Sequence, residues 1–128
     1  MQEAPVIIFV CEHGAAKSII AAAHFNQMAS ARNLNLRAIA RGMKPDPEFS
    51  AKTIEGLRSE GLTPPESIPQ KLTLAEVESA QQIISFCELP EGFLDTANYE
   101  NWDDIPPVSE DYEKARDMII AKLMAMMK

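Results

Sequence analysis

The stretch VIIFVCEHGAAKS, residues 6–18, decides how this chain folds. Val6–Val10 is a continuous apolar run rich in β-branched residues, which is typical of a strand buried on both faces of a parallel sheet. A short loop of small residues around Gly14 follows, and from Ser18 apolar residues recur at helical spacing to about Arg32. The stretch therefore predicts a strand, a tight loop and a helix.

The rest of the chain continues this alternation. Apolar runs and helical spacings predict strands at 36–40 and 83–87, and helices at 50–60, from Thr73 onward and from Ser109 onward. The order β-α-β-α-α-β-α predicts an α/β fold with an open, mostly parallel sheet and helices on both faces. Because ligands bind beyond the carboxyl ends of such strands, Cys11 and Cys87 are expected at the functional edge of the sheet.

Length and composition limit the classes of protein to consider. The 128 residues suit a single domain, predicted to span 1–128, and the hydrophobic fraction of 46% is that of an ordinary folded domain. The net charge of -7 argues against a nucleic acid or an anionic membrane as partner, because their phosphates need a basic surface. Pro5–Val10 is too short for a membrane span or a secretory signal, so a cytoplasmic location is expected.

The few cysteines and histidines are interpreted one at a time. Two cysteines in the whole chain exclude a scaffold held together by disulfides. Together with His13 and His24 they lack the spacing of any standard metal site, so neither a metal nor a cofactor is expected. His24, inside the first predicted helix, is expected to be structural or solvated.

The loop after the first strand carries the residues expected to do chemistry. A loop that closes onto a helix start points backbone N–H groups at one spot, and with the helix dipole this makes a cradle for an oxyanion. The same field favours the thiolate form of Cys11, a nucleophile, while Lys17 supplies positive charge and the Ser18 hydroxyl is placed to donate to the thiolate. The predicted oxyanion-binding residues are Glu12, His13, Gly14, Ala15, Ala16, Lys17 and Ser18.

An ordinary interpretation of the same residues stays open. Cys11 would then be an inert thiol that ends a buried strand, and Lys17 and Ser18 would form a solvated helix start. A lysine six places after a cysteine is a common coincidence, so the spacing alone is weak evidence. The buried strand, the small-residue loop and the hydroxyl at the helix start together favour the functional interpretation.

These residues resemble a known family, the low-molecular-weight protein tyrosine phosphatases and the arsenate reductases that share their fold. The first loop is similar to the family pattern V-x-F-V-C-x5-R-S, and its C-x-H opening is closest to an arsenate-reductase subgroup with C-V-H-N-A-G-R-S. IPQKLT, AQQIISFCE and NWDDIPPVSEDYEKARDMIIAKL resemble later family segments, so the likeness covers roughly residues 5–124. It implies a four-stranded parallel sheet flanked by helices, with Cys11 as nucleophile and residues 12–18 as anion loop.

The departures from the family pattern bear on function. Lys17 stands where the family has Arg, and an ammonium cannot reproduce the two-pronged contact of a guanidinium with phosphate. Gly14 replaces a loop Asn, and the family's general-acid Asp falls on Pro106. Asp104, with Asp103 beside it, is the nearest candidate for that acid, the ordinary alternative being an exposed acidic turn. The tyrosines that grip an aryl substrate in the phosphatases are absent.

Cys87 matches the position of a resolving thiol in one arsenate-reductase branch. There a second thiol would discharge an arsenic adduct on Cys11 as arsenite by forming a disulfide, a step that ester hydrolysis does not need. The second resolving cysteine of that branch is absent, and the alternative is a buried thiol that only fills space. Without an internal disulfide, a reductase would need an external thiol reductant such as glutathione or mycothiol.

The sequence as a whole predicts a thiol enzyme that attacks a small oxyanion or a phosphorylated substrate at Cys11. Arsenate reduction is preferred over phosphotyrosine hydrolysis because of the C-x-H opening, the short chain and the missing tyrosines. Two alternatives stay open. The loss of both the Arg and the general acid fits a degenerate member that binds an anionic ligand without turnover. The acidic C-terminal third, from position 86 onward, fits a protein-interaction module.

Overall fold

A computed structural model of the chain describes residues 5–89 and 98–127, which form a parallel sheet covered by helices. In chain order the elements are β1 (Val6–Cys11), α1 (Lys17–Ala31), β2 (Arg37–Gly42), α2 (Ala51–Ser59), α3 (Leu74–Ser79), β3 (Gln82–Ser85), β4 (Asn98–Asn101) and α4 (Tyr112–Met126). The 4-stranded sheet has the order β2-β1-β3-β4, and each neighbouring pair is parallel. The expected α/β class and four-stranded parallel sheet are confirmed. Within the described ranges, no helix is long and apolar enough to cross a membrane.

The central strand β1 is buried on both faces, as its unbroken apolar run predicts. On one face the ring of Phe9 lies 6.0 Å from the rings of both Phe25 and Trp102, under α1, α2 and α4. On the other face Ile8 is in register with Ile39 and Ile83, under α3. Each such side chain contributes about 1.5–3 kcal/mol on burial, so this strand anchors the fold that positions the loop after it.

Several boundaries differ by one to three residues from those that the sequence predicts, and two of the differences have an identifiable cause. The last helix begins at Tyr112 rather than at Ser109, because a turn closed by the Glu110 N–H and the Pro107 carbonyl (3.1 Å) comes first. The third strand ends at Ser85, two residues early, because its hydroxyl accepts the N–H of residue 87 at 3.1 Å and bends the chain out of the sheet. The second difference places the thiol at 87 beyond the sheet and not in it.

His24 proves to be structural, one of its two expected states. It is buried in α1 with Nε2 3.0 Å from Glu60 Oε1, although the two are not aligned for a hydrogen bond, and the Tyr112 hydroxyl donates to the other oxygen of Glu60 at 2.8 Å. Burial lowers the pKa of His24, and the nearby Glu60 carboxylate opposes this. One carboxylate thus ties α1 to α2 and α4.

Candidate functional site

The loop between β1 and α1 is held by its carbonyl groups. The carbonyls of Cys11, Glu12, His13 and Ala15 accept hydrogen bonds from the backbone N–H groups of Met43, Lys44, Asp46 and Ser50, at 3.2, 2.7, 3.0 and 2.9 Å respectively. The C=O and N–H of a trans peptide point in opposite directions, so the N–H groups of residues 12, 13, 14 and 16 are turned away from the 43–50 segment. An oxyanion cradle needs N–H groups presented in this way.

Two glycines allow this loop to lie directly over the end of β2. Gly14 has φ of 62°, in the left-handed region where most side chains are strained. A Cβ on Gly42 would lie only 2.7 Å from the Gly14 nitrogen, and a Cβ on Gly14 would lie 3.0 Å from the Gly42 nitrogen. A side chain at position 42 would therefore displace the loop, and one at position 14 would be tightly packed. Asn is the other residue type common at positive φ, and the change from the family's Asn to Gly14 is therefore compatible with this loop shape.

The thiol and hydroxyl that the sequence singled out are in direct contact. Cys11 Sγ lies 3.0 Å from Ser18 Oγ, and the Ser18 side chain has no exposed surface. When Cys11 is a thiolate, the hydroxyl is the only one of the two that can donate, so the Ser18 O–H then donates to the charged sulfur. The pairing places the thiol at the end of β1, beside the first turn of α1.

A cleft of about 440 Å³ opens over this thiol. Its lining brings together the loop after β1, the 43–50 segment, the bend after β3 and the segment before α4: Cys11, Glu12, His13, Ala15, Ala16, Lys17, Asp46, Ser50, Phe86, Cys87, Pro107, Val108 and Ser109. Most of the predicted site residues share this cleft. Its size admits a tetrahedral oxyanion with a substituent.

Lys17 lies in the cleft and also donates a hydrogen bond to a backbone carbonyl on its opposite side. Its Nζ donates to the carbonyl of Ile105 at 2.9 Å, in the segment between β4 and α4. An ammonium has three N–H donors, so the contact leaves two for a bound anion. The lysine therefore connects the anion loop to the segment that forms the opposite wall.

Lys17→Arg is expected to tighten binding of phosphate or sulfate about tenfold. A guanidinium offers two parallel donors, and one further charge-assisted hydrogen bond contributes roughly 1.5–3 kcal/mol. Isothermal titration of the reduced protein measures the change, with Lys44→Arg, on the neighbouring segment outside the cleft lining, as the matched control. Weaker binding in Lys17→Arg would contradict this expectation and would show that the hydrogen bond of Lys17 to the Ile105 carbonyl matters more than its contact with the anion.

Asp104, the sequence candidate for the general acid, is placed away from the cleft. Its Oδ2 lies 3.3 Å from Lys122 Nζ of α4, and Lys122 also stacks over the Trp102 ring at 5.6 Å. Asp103 is exposed and also outside the cleft lining. Pro107, in contrast, does line the cleft, so the segment passes the site but presents no carboxylate from 103 or 104 to it.

Cys87 comes to the same cleft by way of the adjacent strand. β3 pairs with β1, and the register Val10↔Ser85 leaves Cys87 just beyond the end of β3. The two strands are thus neighbours, which a disulfide between Cys11 and Cys87 would require, and both thiols line the cleft. The half-buried Cys87 also packs toward α3, whereas Cys11 packs toward α1. Burial raises the pKa of the Cys87 thiol, and a hydrogen bond from Ser85 opposes this.

Asp46 is a cleft residue that sequence reasoning did not single out. His13 Nδ1 lies 3.3 Å from the carbonyl oxygen of Lys44 and 3.4 Å from Asp46 Oδ1, so the two side chains meet at the cleft mouth. A signal was present: Asp46 closely follows β2, the parallel neighbour of β1, and parallel strands end at one edge.

A larger hollow of about 620 Å³ lies along the edge strand β2. Three of its charged groups pair with one another: Arg41 binds Glu66 at 2.7 Å and Glu76 at 2.8 Å. Arg37 also lines the hollow, and Glu66 Oε2 has no hydrogen-bond partner among the described residues. Because this hollow contains no cysteine, we take the smaller cleft over Cys11 as the candidate site.

Solved structures share this fold at low sequence identity. Bacillus subtilis YfkJ superposes with a TM-score of 0.85 and 17% identity over 98% of this chain and 94% of its own. An arsenate reductase from Archaeoglobus fulgidus gives 0.75 and 21% over 94% and 97%. A low-molecular-weight phosphotyrosine phosphatase from Vibrio cholerae gives 0.80 and 14% over 96% and 94%. No protein-family model and no curated protein sequence matches the chain. The fold is thus that of the low-molecular-weight phosphatases and arsenate reductases.

Proposed function

We propose that this protein is a thiol-based oxyanion enzyme, and that arsenate is the substrate its cleft suits best. The observation that carries the proposal is that two thiols, Cys11 and Cys87, line one cleft beside a loop that has four of its carbonyls bonded to the 43–50 segment. The arsenate reductase and the phosphatase among the structural neighbours support the reaction class. The reaction needs no cofactor, and a reducing cytoplasm would keep both thiols free, as they are here.

The first step is attack by the Cys11 thiolate on arsenic. The S–As bond forms as the bond from arsenic to one of its hydroxyl groups breaks, and that hydroxyl takes a proton and leaves as water. Loop N–H groups and Lys17 stabilise the charge on the remaining oxygens. The Ser18 hydroxyl holds the thiolate in position before the attack.

The second step uses Cys87. Its thiolate attacks the Cys11 sulfur, the new S–S bond forms, and the S–As electron pair stays on arsenic, which leaves as arsenite. The two thiols thereby supply the two electrons that reduce arsenic. An external thiol reductant then returns the disulfide to the free thiols.

Hydrolysis of a phosphate monoester is the second candidate, because its first half uses the same nucleophile and cradle and needs no second thiol. A binding role without turnover is the alternative that the Lys17 contact with Ile105 favours, since that contact occupies part of the one cation in the loop. The position of Asp104 does not distinguish these functions, because its carboxylate pairs with Lys122 and not with a group of the cleft.

A paired assay tests the proposal. Reduced wild-type protein is given arsenate with a thiol reductant, and separately nitrophenyl phosphate, beside Cys87→Ser. We expect arsenite from the wild type, and from Cys87→Ser a large loss of arsenite formation with ester hydrolysis unchanged. Ester hydrolysis without arsenite formation would select the phosphatase, and sulfate binding without either turnover would select the non-catalytic role.

Mild peroxide is expected to join Cys11 to Cys87 in a disulfide, formed faster as the pH rises. Burial raises the pKa of the Cys87 thiol, so the fraction present as attacking thiolate is small near neutrality and grows toward alkaline pH. Cα atoms must come within about 7 Å, which strands roughly 4.8 Å apart permit with a small shift of the bend. Peptide mass spectrometry measures the bond. Sulfinic acid on Cys11 with no disulfide would make Cys87 a packing residue.

A further inference from the structure

Any displacement at this site expels an oxygen that must be protonated. The sequence candidate for the donor, Asp104, faces Lys122 instead. Cys11 and Lys17 already have roles in the proposed attack and in holding the anion, and the other ionisable side chains of the cleft lining are Glu12, His13, Asp46 and Cys87. Only one of them combines a position at the cleft mouth with a partner that fixes which of its atoms holds the proton.

That side chain is His13. Its Nδ1 lies 3.3 Å from the carbonyl oxygen of Lys44, and a carbonyl only accepts, so Nδ1 carries a hydrogen. Asp46 Oδ1 lies 3.4 Å from the same nitrogen and limits the orientations open to the ring. The second proton of the imidazolium is then on Nε2, the atom left over for a substrate.

We propose that His13 is the proton donor of the site and that Asp46 positions it. The inference rests on the proposed attack by Cys11 and adds the group that completes it. It applies to arsenate and to phosphate monoesters alike, since both expel an oxygen.

The proton balance is closed within the site. As the Cys11 sulfur bonds to phosphorus, the P–O bond to the ester breaks and the leaving oxygen takes the Nε2 proton, which leaves His13 neutral. Water then attacks the phosphocysteine, Nε2 accepts a proton from it, and phosphate departs with the thiolate restored. With arsenate, the same first transfer releases a hydroxyl group as water, and His13 regains its proton from solvent after arsenite leaves.

Glu12 is the rival donor on the same rim. Within residues 5–89 and 98–127, no hydrogen bond or ion pair orients the Glu12 side chain, which is exposed. His13 has two partners on one ring nitrogen, and it is therefore the better-placed group.

Leaving-group dependence distinguishes a proton donor from a structural residue. His13→Asn is expected to slow hydrolysis of phenyl phosphate about 100-fold, and of dinitrophenyl phosphate less than tenfold, because dinitrophenolate departs without a proton. Asp46→Asn should show the same pattern with a smaller loss, and added imidazole should partly restore His13→Asn. Equal losses on both esters, or the pattern appearing in Glu12→Gln instead, would overturn the assignment. Hydrolysis that survives Cys11→Ser would refute the proposed attack by Cys11, a result that is separate from the leaving-group pattern by which His13 is tested.

A second measurement needs no turnover and no variant. The chain has two histidines, so imidazole nitrogen spectra resolve them, and His24 serves as the buried internal control. Inorganic phosphate at fixed neutral pH is expected to shift the Nε2 signal of His13, because Nε2 would donate a hydrogen bond to an anion in the cradle, and to leave the His24 signals unchanged. A His13 signal that phosphate does not alter would show that Nε2 does not face the cradle.

Discussion

Cys11→Ser is expected to abolish both arsenite formation and ester hydrolysis, with a loss on the order of 10⁵–10⁶-fold. Removal of the nucleophile from a preorganised site removes the whole covalent route, and the remaining contacts cannot replace it. Steady-state kinetics with each substrate measure the loss. The fold should not change, since Ser is smaller than Cys and Ser18 Oγ stays within reach of the new hydroxyl.

Ser18→Ala is the matched control for this variant. It removes the partner of the thiolate but leaves the nucleophile, and the loss of one charge-assisted hydrogen bond corresponds to roughly 10–100-fold in rate. Anion binding should persist in both variants, because the loop N–H groups are unaffected. A Cys11→Ser protein with more than a tenth of wild-type activity would contradict the account.

Gly42→Ala is expected to cost roughly 1–3 kcal/mol of stability and about 100-fold in activity. The added Cβ would lie 2.7 Å from the Gly14 nitrogen and 2.8 Å from the His13 carbonyl carbon. Both contacts are backbone atoms of the anion loop, so the loop itself must move, and a displacement near 1 Å at a reacting centre costs about two orders of magnitude. Denaturant unfolding and kinetics measure the two effects.

Gly61→Ala separates stability from catalysis. Gly61 has φ of 76° at the end of α2 with open space around its Cβ position, so Ala there is strained but contacts nothing. Its cost of roughly 1–2 kcal/mol should come with unchanged phosphate affinity and activity. If Gly42→Ala retained wild-type activity, the close fit of the loop over β2 would not be needed for function.

The buried elements were predictable because their signals are local. The apolar run of β1 is recognisable without tertiary information. The same holds for the start of α3, where the Thr73 hydroxyl and the Glu76 carboxylate form a capping box, as their spacing of three residues predicts. β4 was implied only by the family resemblance. Its sequence, NYEN, is polar because it lies at the sheet edge, so it carries no hydrophobic pattern.

The site was predictable in part for the same reason. Cys11 and Ser18 lie seven residues apart on one loop and helix start, and a local motif suffices to bring them together. Contacts that depend on how distant segments meet were not accessible. Asp104 binds Lys122 on a helix, and Lys17 binds the Ile105 carbonyl 88 residues away. The residues around Asp104 and Lys17 contain no pattern that would identify these partners.

The central claim is that the Cys11 thiolate attacks an oxyanion held by the loop. Mass spectrometry of the Cys87→Ser protein during turnover of nitrophenyl phosphate tests it most directly, because this variant keeps the nucleophile and lacks the second thiol. The account predicts a gain of one phosphoryl group on the peptide that carries Cys11, absent from a Cys11→Ser, Cys87→Ser double variant. Turnover with Cys11 unmodified, or with the phosphoryl group on another residue, would contradict it.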